Sequence, residues 1–268
     1  MKQYRIGDYA KYLGVTPDLL KHYEEMGIIH SSRSESGYRY YSFQTTVELI
    51  ESIRLRNYGL TLREIREVLH ERGMGQEQMD QRIVEKLELI RQEVLLDEAL
   101  IEEYTAFQEW REAMGTHDWD WEIRWSSPML FLPHTNRYEF LQDPRIYELL
   151  NQWMSYIPIV KSCMQAGPDG RFTWGFCVRE QDAQRLGLPV NEVVQRIPAH
   201  KIFYYKFRGR IPHLEEEGRD NMDHPAFRQL HALGLESGET YYRTTLMPAD
   251  WQKDLGYQYG YYAIPLAE

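Results

Sequence analysis

The sequence predicts an α+β chain of three unlike segments, and three observations carry that reading. Over residues 1–72, apolar residues recur at helical spacing between glycine and proline stops. Residues 76–114 run without a single proline or glycine. Beyond residue 121, short β-prone runs rich in Tyr, Trp and Phe alternate with helical patterns. At 268 residues the chain is longer than one compact domain usually needs. Its mean hydropathy is −0.61. No apolar run approaches the ~18 residues of a transmembrane helix, so no membrane partner is expected. The stretch MKQYRIGDYA has no apolar h-region, which predicts no signal peptide. Two cysteines, Cys163 and Cys177, suit a reducing, cytoplasmic setting and are too few for a four-cysteine zinc or iron–sulfur site.

Charge is spread unevenly. The net of −10 divides into +1 over residues 1–72, −9 over 73–120 and −2 over 121–268. The acidity sits in the middle segment and does not argue against nucleic acid at the first.

In the first segment Ile6, Ala10 and Leu13 keep helical spacing, and Gly14 supplies a left-handed stop. Thr16-Pro17-Asp18 opens a second helix with a hydroxyl cap, a proline at its first turn and an acid at its positive end. Leu19, Leu20 and Tyr23 follow, and Gly27 ends it. Two short helices joined at Leu13-Gly14-Val15 make a helix-turn-helix candidate. Ser31 to Gly37, followed by Tyr38-Arg39-Tyr40-Tyr41, reads as a small hairpin or wing. Leu49, Ile53 and Leu55 mark a third helix, and Thr61-Leu62-Arg63-Glu64 is a capping box opening a fourth.

Over 76–114, Ile83, Leu87, Ile90, Val94, Ile101 and Tyr104 alternate at spacings of four and three, with Asp97 in the one polar slot. That pattern is a coiled-coil seam, and a second copy of the chain is its simplest partner. A long helix packed on its own chain is the alternative.

Residues 121–268 hold 5 Trp, 11 Tyr and 7 Phe. Strands are predicted over 121–133, 172–179, 195–207, 241–247 and 257–266. The run Asp143-Pro144-Arg145-Ile146-Tyr147-Glu148-Leu149-Leu150 is similar to Asp223-His224-Pro225-Ala226-Phe227-Arg228-Gln229-Leu230, so the domain is expected to comprise two similar halves, each with a helix opened at an Asp/Pro signal.

Several runs in the first segment carry a family resemblance. They are Tyr4-Arg5-Ile6-Gly7, Gly14-Val15-Thr16, Leu20 through Ile29, Ser36-Gly37-Tyr38-Arg39-Tyr40-Tyr41, and Arg54 through Leu60. In that order and spacing they resemble a MerR-family transcriptional regulator. The resemblance implies a winged helix-turn-helix over 1–72 and a dimerisation helix in an antiparallel coiled coil over 76–114. It implies a homodimer acting on double-stranded promoter DNA with RNA polymerase holoenzyme, activating by distorting a promoter whose −35 and −10 elements are too far apart. A recognition helix capped at Thr16 would present Asp18, Lys21 and His22 to the major groove, with Tyr23 at the groove or in the core. The family usually has Arg-Tyr-Tyr where this chain has Lys21-His22-Tyr23. Lysine keeps the cation and loses the bidentate fork. Tyr38 and Arg39 match wing positions that touch the DNA backbone, and Arg56 and Arg63 extend those contacts.

Residues 73–162 contain no cysteine, and the nine histidines show no i,i+4 pair, so neither metal nor redox sensing is expected and no cofactor is implied. Instead, Arg196-Ile197-Pro198-Ala199-His200-Lys201 and Tyr261-Tyr262-Ala263-Ile264-Pro265-Leu266 resemble parts of a GyrI-like effector-binding domain over 121–268. That resemblance implies a multidrug sensor for bulky, lipophilic, often cationic compounds, for which aromatic faces are suited. Alternation along the last strand groups Tyr257, Tyr259, Tyr261 and Ala263 on one face. Trp125, Tyr147, Trp174, Phe176, Tyr204, Tyr259 and Tyr261 are the ligand candidates, with core packing as the alternative for each. The family often has a glutamate where Tyr261 stands, which opens the site to neutral aromatics as well.

The rival reading is a GyrI-like hydrolase or drug-sequestering domain fused to the DNA reader. Hydrolysis needs a pocket carboxylate, for which Glu122 and Glu139 are candidates without a distinctive motif. No Gly-rich phosphate loop, GxSxG or HExxH occurs, so no catalytic residue is assigned. A purely architectural DNA protein would leave the aromatic domain unexplained.

Overall fold

A computed structural model describes residues 2–71, 73–167, 170–210, 224–250 and 254–267. The chain divides into two compact units, Met1–Glu93 and Val94–Glu268. The first comprises β1 (Gln3–Arg5), α1 (Ile6–Leu13), α2 (Pro17–Glu25), β2 (Ser32–Arg33), β3 (Arg39–Ser42), α3 (Phe43–Asn57) and α4 (Leu62–His70). The stops anticipated from sequence are in place. Gly14 has φ 67°, Gly27 φ 69° and Gly37 φ 80°, all in the left-handed region open to glycine. Thr61 and Glu64 make the reciprocal capping box of α4. The wing is a three-stranded sheet of order β1-β3-β2, since Gln3–Arg5 joins the expected hairpin. That third strand pairs across 35 residues and left no local signal. Tyr9, Leu20, Tyr23, Ile28, Tyr41, Leu49, Leu55, Leu60 and Ile65 form the core, with the Tyr9 and Tyr41 rings stacked at 4.9 Å.

Helix α5 (Gln76–Met114) runs unbroken for 39 residues. The stripe Ile83, Leu87, Ile90, Val94, Ile101 and Tyr104 lies between 38% and 66% exposed in the single chain. Leu96, Ala99 and Leu100 instead pack into the core of the second unit. Packing on its own chain thus occurs on one face, while the heptad stripe stays uncovered.

The second unit is built on an eight-stranded antiparallel sheet. Its strands are β4 (Trp119–Trp125), β5 (Met129–Pro133), β8 (Lys161–Ala166), β9 (Phe172–Arg179), β10 (Gln195–Ile197), β11 (Lys201–Arg210), β12 (Tyr241–Asp250) and β13 (Asp254–Pro265). A small hairpin of β6 (Thr135–Asn136) and β7 (Glu139–Phe140) lies against β9, where the Arg137 N–H donates to the Phe172 carbonyl at 3.0 Å, and the helices are α6 (Pro144–Met154), α7 (Glu180–Arg185) and α8 (Pro225–Ala232). The sheet order is β10-β5-β9-β8-β12-β13-β11-β4. Its centre reads β5-β9-β8 then β12-β13-β11, two strand–helix–strand–strand halves meeting at β8 and β12 in mirrored order. The repeat expected from sequence therefore exists as topology, but its register moves by one. Pro144 and Pro225 each open a helix, so Ile146 corresponds to Phe227 and Leu149 to Leu230, all four buried. The cap of α8 is His224, whose ring accepts the Ala226 N–H; Asp223 lies outside the described residues.

Two strands read as continuous are each divided. Ser126-Ser127-Pro128 separates β4 from β5, and Pro198 with its neighbours separates β10 from β11, because proline cannot donate to a ladder. Strand β8, a mixed Lys-Ser-Cys-Met-Gln-Ala, was not anticipated.

Helices α6 and α8 cover one face of the sheet. Phe203, Tyr205, Phe207, Tyr262 and Ile264 pack on α8, and Leu130, Leu132 and Val178 on α6. Gly260 sits on β13 opposite Phe207 of β11 and Thr245 of β12. A Cβ there would lie 2.6 Å from the Phe207 ring and 2.7 Å from the Thr244 carbonyl oxygen. Gly260→Ala is expected to lower the stability of this domain by about 2 kcal/mol through forced overpacking. Urea midpoints read by tryptophan fluorescence check it, and an unchanged midpoint would mean that Phe207 has room to turn.

Candidate nucleic-acid interface and ligand pocket

The first site is built on α2. Thr16 stands in extended conformation and its hydroxyl accepts the Leu19 N–H at 3.1 Å, while Pro17 fixes the first turn. The inward stripe of Leu20 and Tyr23 leaves Asp18, Lys21 and His22 exposed together. Lys21 donates to Asp18 at 2.9 Å, an exposed and therefore weak pair. Tyr23 is 7% exposed and packs in the core, one of the two places open to it from sequence: its i+3 spacing from Leu20 places it on the buried side.

Sequence reading missed the residue that joins helix to wing. Glu24 accepts from Arg39 Nε at 2.8 Å, from the Ser31 hydroxyl at 2.8 Å and from the Tyr41 hydroxyl at 3.2 Å. Burial would raise the Glu24 pKa, but these donors more than offset it and hold the carboxyl below its ordinary value. Arg39 is therefore partly committed inside the domain, with its side chain still 31% exposed. Tyr38 is 57% exposed at the wing, with the Arg5 guanidinium 5.1 Å above its ring. Arg5 and Tyr38 thus form one exposed aromatic–cation pair, and Arg5 was absent from the sequence candidates because β1 was. Arg56 donates to the Leu60 carbonyl at 3.1 Å and closes the turn after α3. Arg63 is exposed on α4, 3.8 Å from Glu67.

The second site lies on the sheet face opposite α6 and α8. The last turns of α5 supply one wall through Glu103, Ala106, Phe107 and Trp110. Strands supply the floor through Met129, Cys177, Ile202, Tyr204, Tyr261 and Ala263, and Arg124, Lys161 and Arg179 add charge. The cavity holds about 190 Å³ and is continuous with a smaller recess of about 30 Å³ beside Cys163, His200, Tyr242 and Thr244. A register shift between Thr245 and Met247 brings Leu246 into the lining.

Of the seven aromatics singled out from sequence, Tyr204 and Tyr261 line this cavity, their rings 4.8 Å apart. Tyr259 packs edge-on against Phe107 and Trp110 at 5.7 and 5.9 Å and supports the wall. The other four lie elsewhere. Trp174 and Phe176 point to the helix-covered face, where they pack on its cores. Trp125 is 70% exposed on the edge strand, and Tyr147 on α6 donates to the Leu141 carbonyl at 2.6 Å. Strand alternation fixes which residues share a face but not which face is open. The wall from α5 was missed because Phe107 and Trp110 read only as helix positions.

Burial pushes the Tyr204 hydroxyl up to about 12 and holds the Tyr261 hydroxyl well above its ordinary value, so both phenols are neutral near pH 7. Hydrogen bonding to Cys177, together with burial, holds the Cys163 thiol protonated. Arg124 lies over the Tyr204 ring with its guanidinium carbon 3.7 Å from the centroid. Lys161 donates to Glu103 at 2.8 Å. Among the described residues, no three His, Cys, Asp or Glu side chains cluster as metal ligands, and no helix is long and apolar enough to cross a membrane.

Comparison with known proteins bears on the first site. Residues 4–72 match the profile of the MerR HTH family regulatory protein. The mercuric resistance operon regulatory protein of Bacillus cereus is 40% identical over 68 residues, which are 25% of this chain and 52% of that protein. The HTH-type transcriptional regulator ZntR of Escherichia coli K12 is 40% identical over 68 residues, 25% of this chain and 48% of that protein. The chain spans about half the length of these relatives. Among solved structures, an EcmrR–DNA complex aligns over 99% of this chain and 100% of that chain, at 16% identity and a TM-score of 0.36. With the exposed face of α2, the Glu24 tie to the wing and these sequence matches together, residues 4–72 are a helix-turn-helix domain of the MerR family of regulatory proteins.

Proposed function

We propose that the chain is a ligand-responsive transcriptional regulator that binds promoter DNA as a homodimer in the cytoplasm. A small aromatic effector in the second-unit cavity would shift the dimer between two DNA conformations, so that RNA polymerase holoenzyme can use a promoter with an over-long spacer. The observation that carries this reading is that one helix, α5, both walls the cavity and bears the uncovered heptad stripe. A ligand touching Phe107 and Trp110 therefore bears on the element expected to hold two reading heads together. The ligand supplies only its difference in affinity between the two states, about 1–3 kcal/mol in typical couplings. DNA twist and bend are soft enough to be moved by such energies.

A hydrolytic role has less behind it. Glu122 and Glu139 lie outside the cavity lining, and the carboxylate that does line it, Glu103, is bound by the Lys161 ammonium.

The DNA-reading assignment is tested on duplexes selected by the protein from a random pool. The selected sites are expected to be inverted repeats, matching two-fold protein symmetry. Lys21→Ala should weaken binding and broaden base preference. Arg39→Ala should weaken it about tenfold without changing preference, because it removes a wing cation and leaves Glu24 partly unneutralised near the phosphates. Unchanged affinity of the Arg39 variant at moderate salt would sink the wing contact. Transcription on the same sites with and without effector separates distortion of bound DNA from simple release.

A further inference from the structure

We infer that the cavity takes a single-ring aromatic carboxylate, a monoanion about the size of salicylate, in preference to a lipophilic cation. This rests on reading the cavity as the effector site. Three features of the wall point to it.

Size is the first. The cavity holds about 190 Å³. An apolar cavity of roughly 150 Å³ accommodates benzene, whereas drug-sized ligands occupy roughly 300–1,000 Å³. One substituted ring is held within it, whereas a four-ring cation would extend out of it.

Charge is the second. Arg124, Lys161 and Arg179 line the space, against the carboxylate of Glu103. That carboxylate is committed to Lys161 at 2.8 Å, with both side chains at most 17% exposed. The acids that pair with the two arginines, Glu122 at 3.3 Å and Asp182 at 2.5 Å, are not in the lining. Each of the three cations thus has an acid of its own, so the wall offers no uncommitted carboxylate to an entering cation, while the two arginines, paired from outside the lining, present guanidinium N–H groups that suit an anion.

The third is the aromatic face itself. A lipophilic cation is held by an open ring, yet Arg124 already covers Tyr204 at 3.7 Å. A carboxylate would instead take up the Arg124 guanidinium in a two-pronged hydrogen bond, which arginine geometry favours. Its ring would lie against Tyr261 and Phe107. Arg124 keeps its own stacking in such a complex, and the carboxylate competes only with the exposed Glu122 for the guanidinium.

Calorimetric titration of the full chain with sodium salicylate and, separately, tetraphenylphosphonium chloride tests the inference. Salicylate is expected to bind at least about tenfold more tightly. Arg124→Gln should raise the salicylate Kd about tenfold, the loss of one charge-assisted contact, and should not weaken the phosphonium. Arg124→Lys, which keeps the charge, should recover part of the loss. Arg124 is about half exposed on edge strand β4, so these variants fold. Tighter binding of the phosphonium would overturn the anion preference and leave the effector-site reading standing. Salicylate binding indifferent to both Arg124 variants would place the anion elsewhere and overturn the inference. Failure of both compounds to bind at about 10 mM would remove the inference and the effector-site reading together.

Discussion

Replacing both Ile90 and Val94 with aspartate is expected to give a well-folded monomer whose operator affinity falls about a hundredfold to ten-thousandfold. The two side chains are 42% and 49% exposed in the single chain, so their loss leaves each protomer's core intact. Their cost falls on association. The stripe from Ile83 to Tyr104 comprises six apolar side chains, and each is worth about 1.5–3 kcal/mol when fully buried. Association must offset about 4–15 kcal/mol of lost freedom, so a seam of this size has little surplus. With both copies substituted, four carboxylates enter the seam, replace four of its twelve apolar side chains and add charges that would have to be desolvated. Without the seam each reading head binds a half-site alone, and the gain from the tethered second half-site, often 10²–10⁴, disappears. Sedimentation velocity together with operator titration checks the prediction. A dimeric variant would mean that the stripe is covered by something other than a second copy.

What the sequence made legible follows from the range of the interactions concerned. Caps and stops act within four residues, so Thr16-Pro17, the Thr61/Glu64 box and Gly14 were readable where they stand. Strand β9 falls on the predicted 172–179 because its run of aromatic and β-prone residues contains no proline. Long-range partners were not readable. Glu24 is an ordinary helix acid until Arg39, Ser31 and Tyr41 are folded around it, and β1 becomes a strand only by pairing with β3. The ligand cavity divides along the same line. Alternation grouped Tyr259 with Tyr261, and the structure keeps them on one face, but Trp174 and Phe176 share a face that α6 and α8 cover. The charges that shape the cavity, Arg124 and Lys161, sit in strands whose ends or existence the sequence obscured.

Acid should weaken the second unit well before it titrates ordinary carboxylates, and His224 is the main reason. Its Nδ1 accepts the Ala226 N–H at 3.1 Å as the N-cap of α8, so the ring must be neutral with its proton on Nε2. It is packed against Tyr262 at 4.4 Å, with Phe207 and Tyr205 at 5.8 and 5.9 Å. Burial, and then the charges of Arg243 and Arg228, push its pKa down to about 4 from the 6.5 of an exposed ring. A depressed folded-state pKa means that the unfolded chain binds the extra proton first. The stabilisation is therefore complete above about pH 6.5 and is lost progressively as the pH falls toward 4. At 1.36 kcal/mol per unit the full loss is about 3 kcal/mol, of which about 2 kcal/mol falls between pH 7 and pH 5. All seven tryptophans lie in residues 94–268, so their fluorescence reports this unit without isolating it. Urea midpoints of the wild type should drop accordingly over that interval. His224→Asn keeps an acceptor at the cap and removes the titration. Its midpoint should start lower at pH 7, from the lost ring packing, and then change much less with acid. His134, which burial also depresses, leaves the variant a shallower slope of the same sign. Equal slopes in wild type and variant would show that the His224 ring titrates alike in the folded and unfolded chain, and its neutral form would then not be needed for the cap.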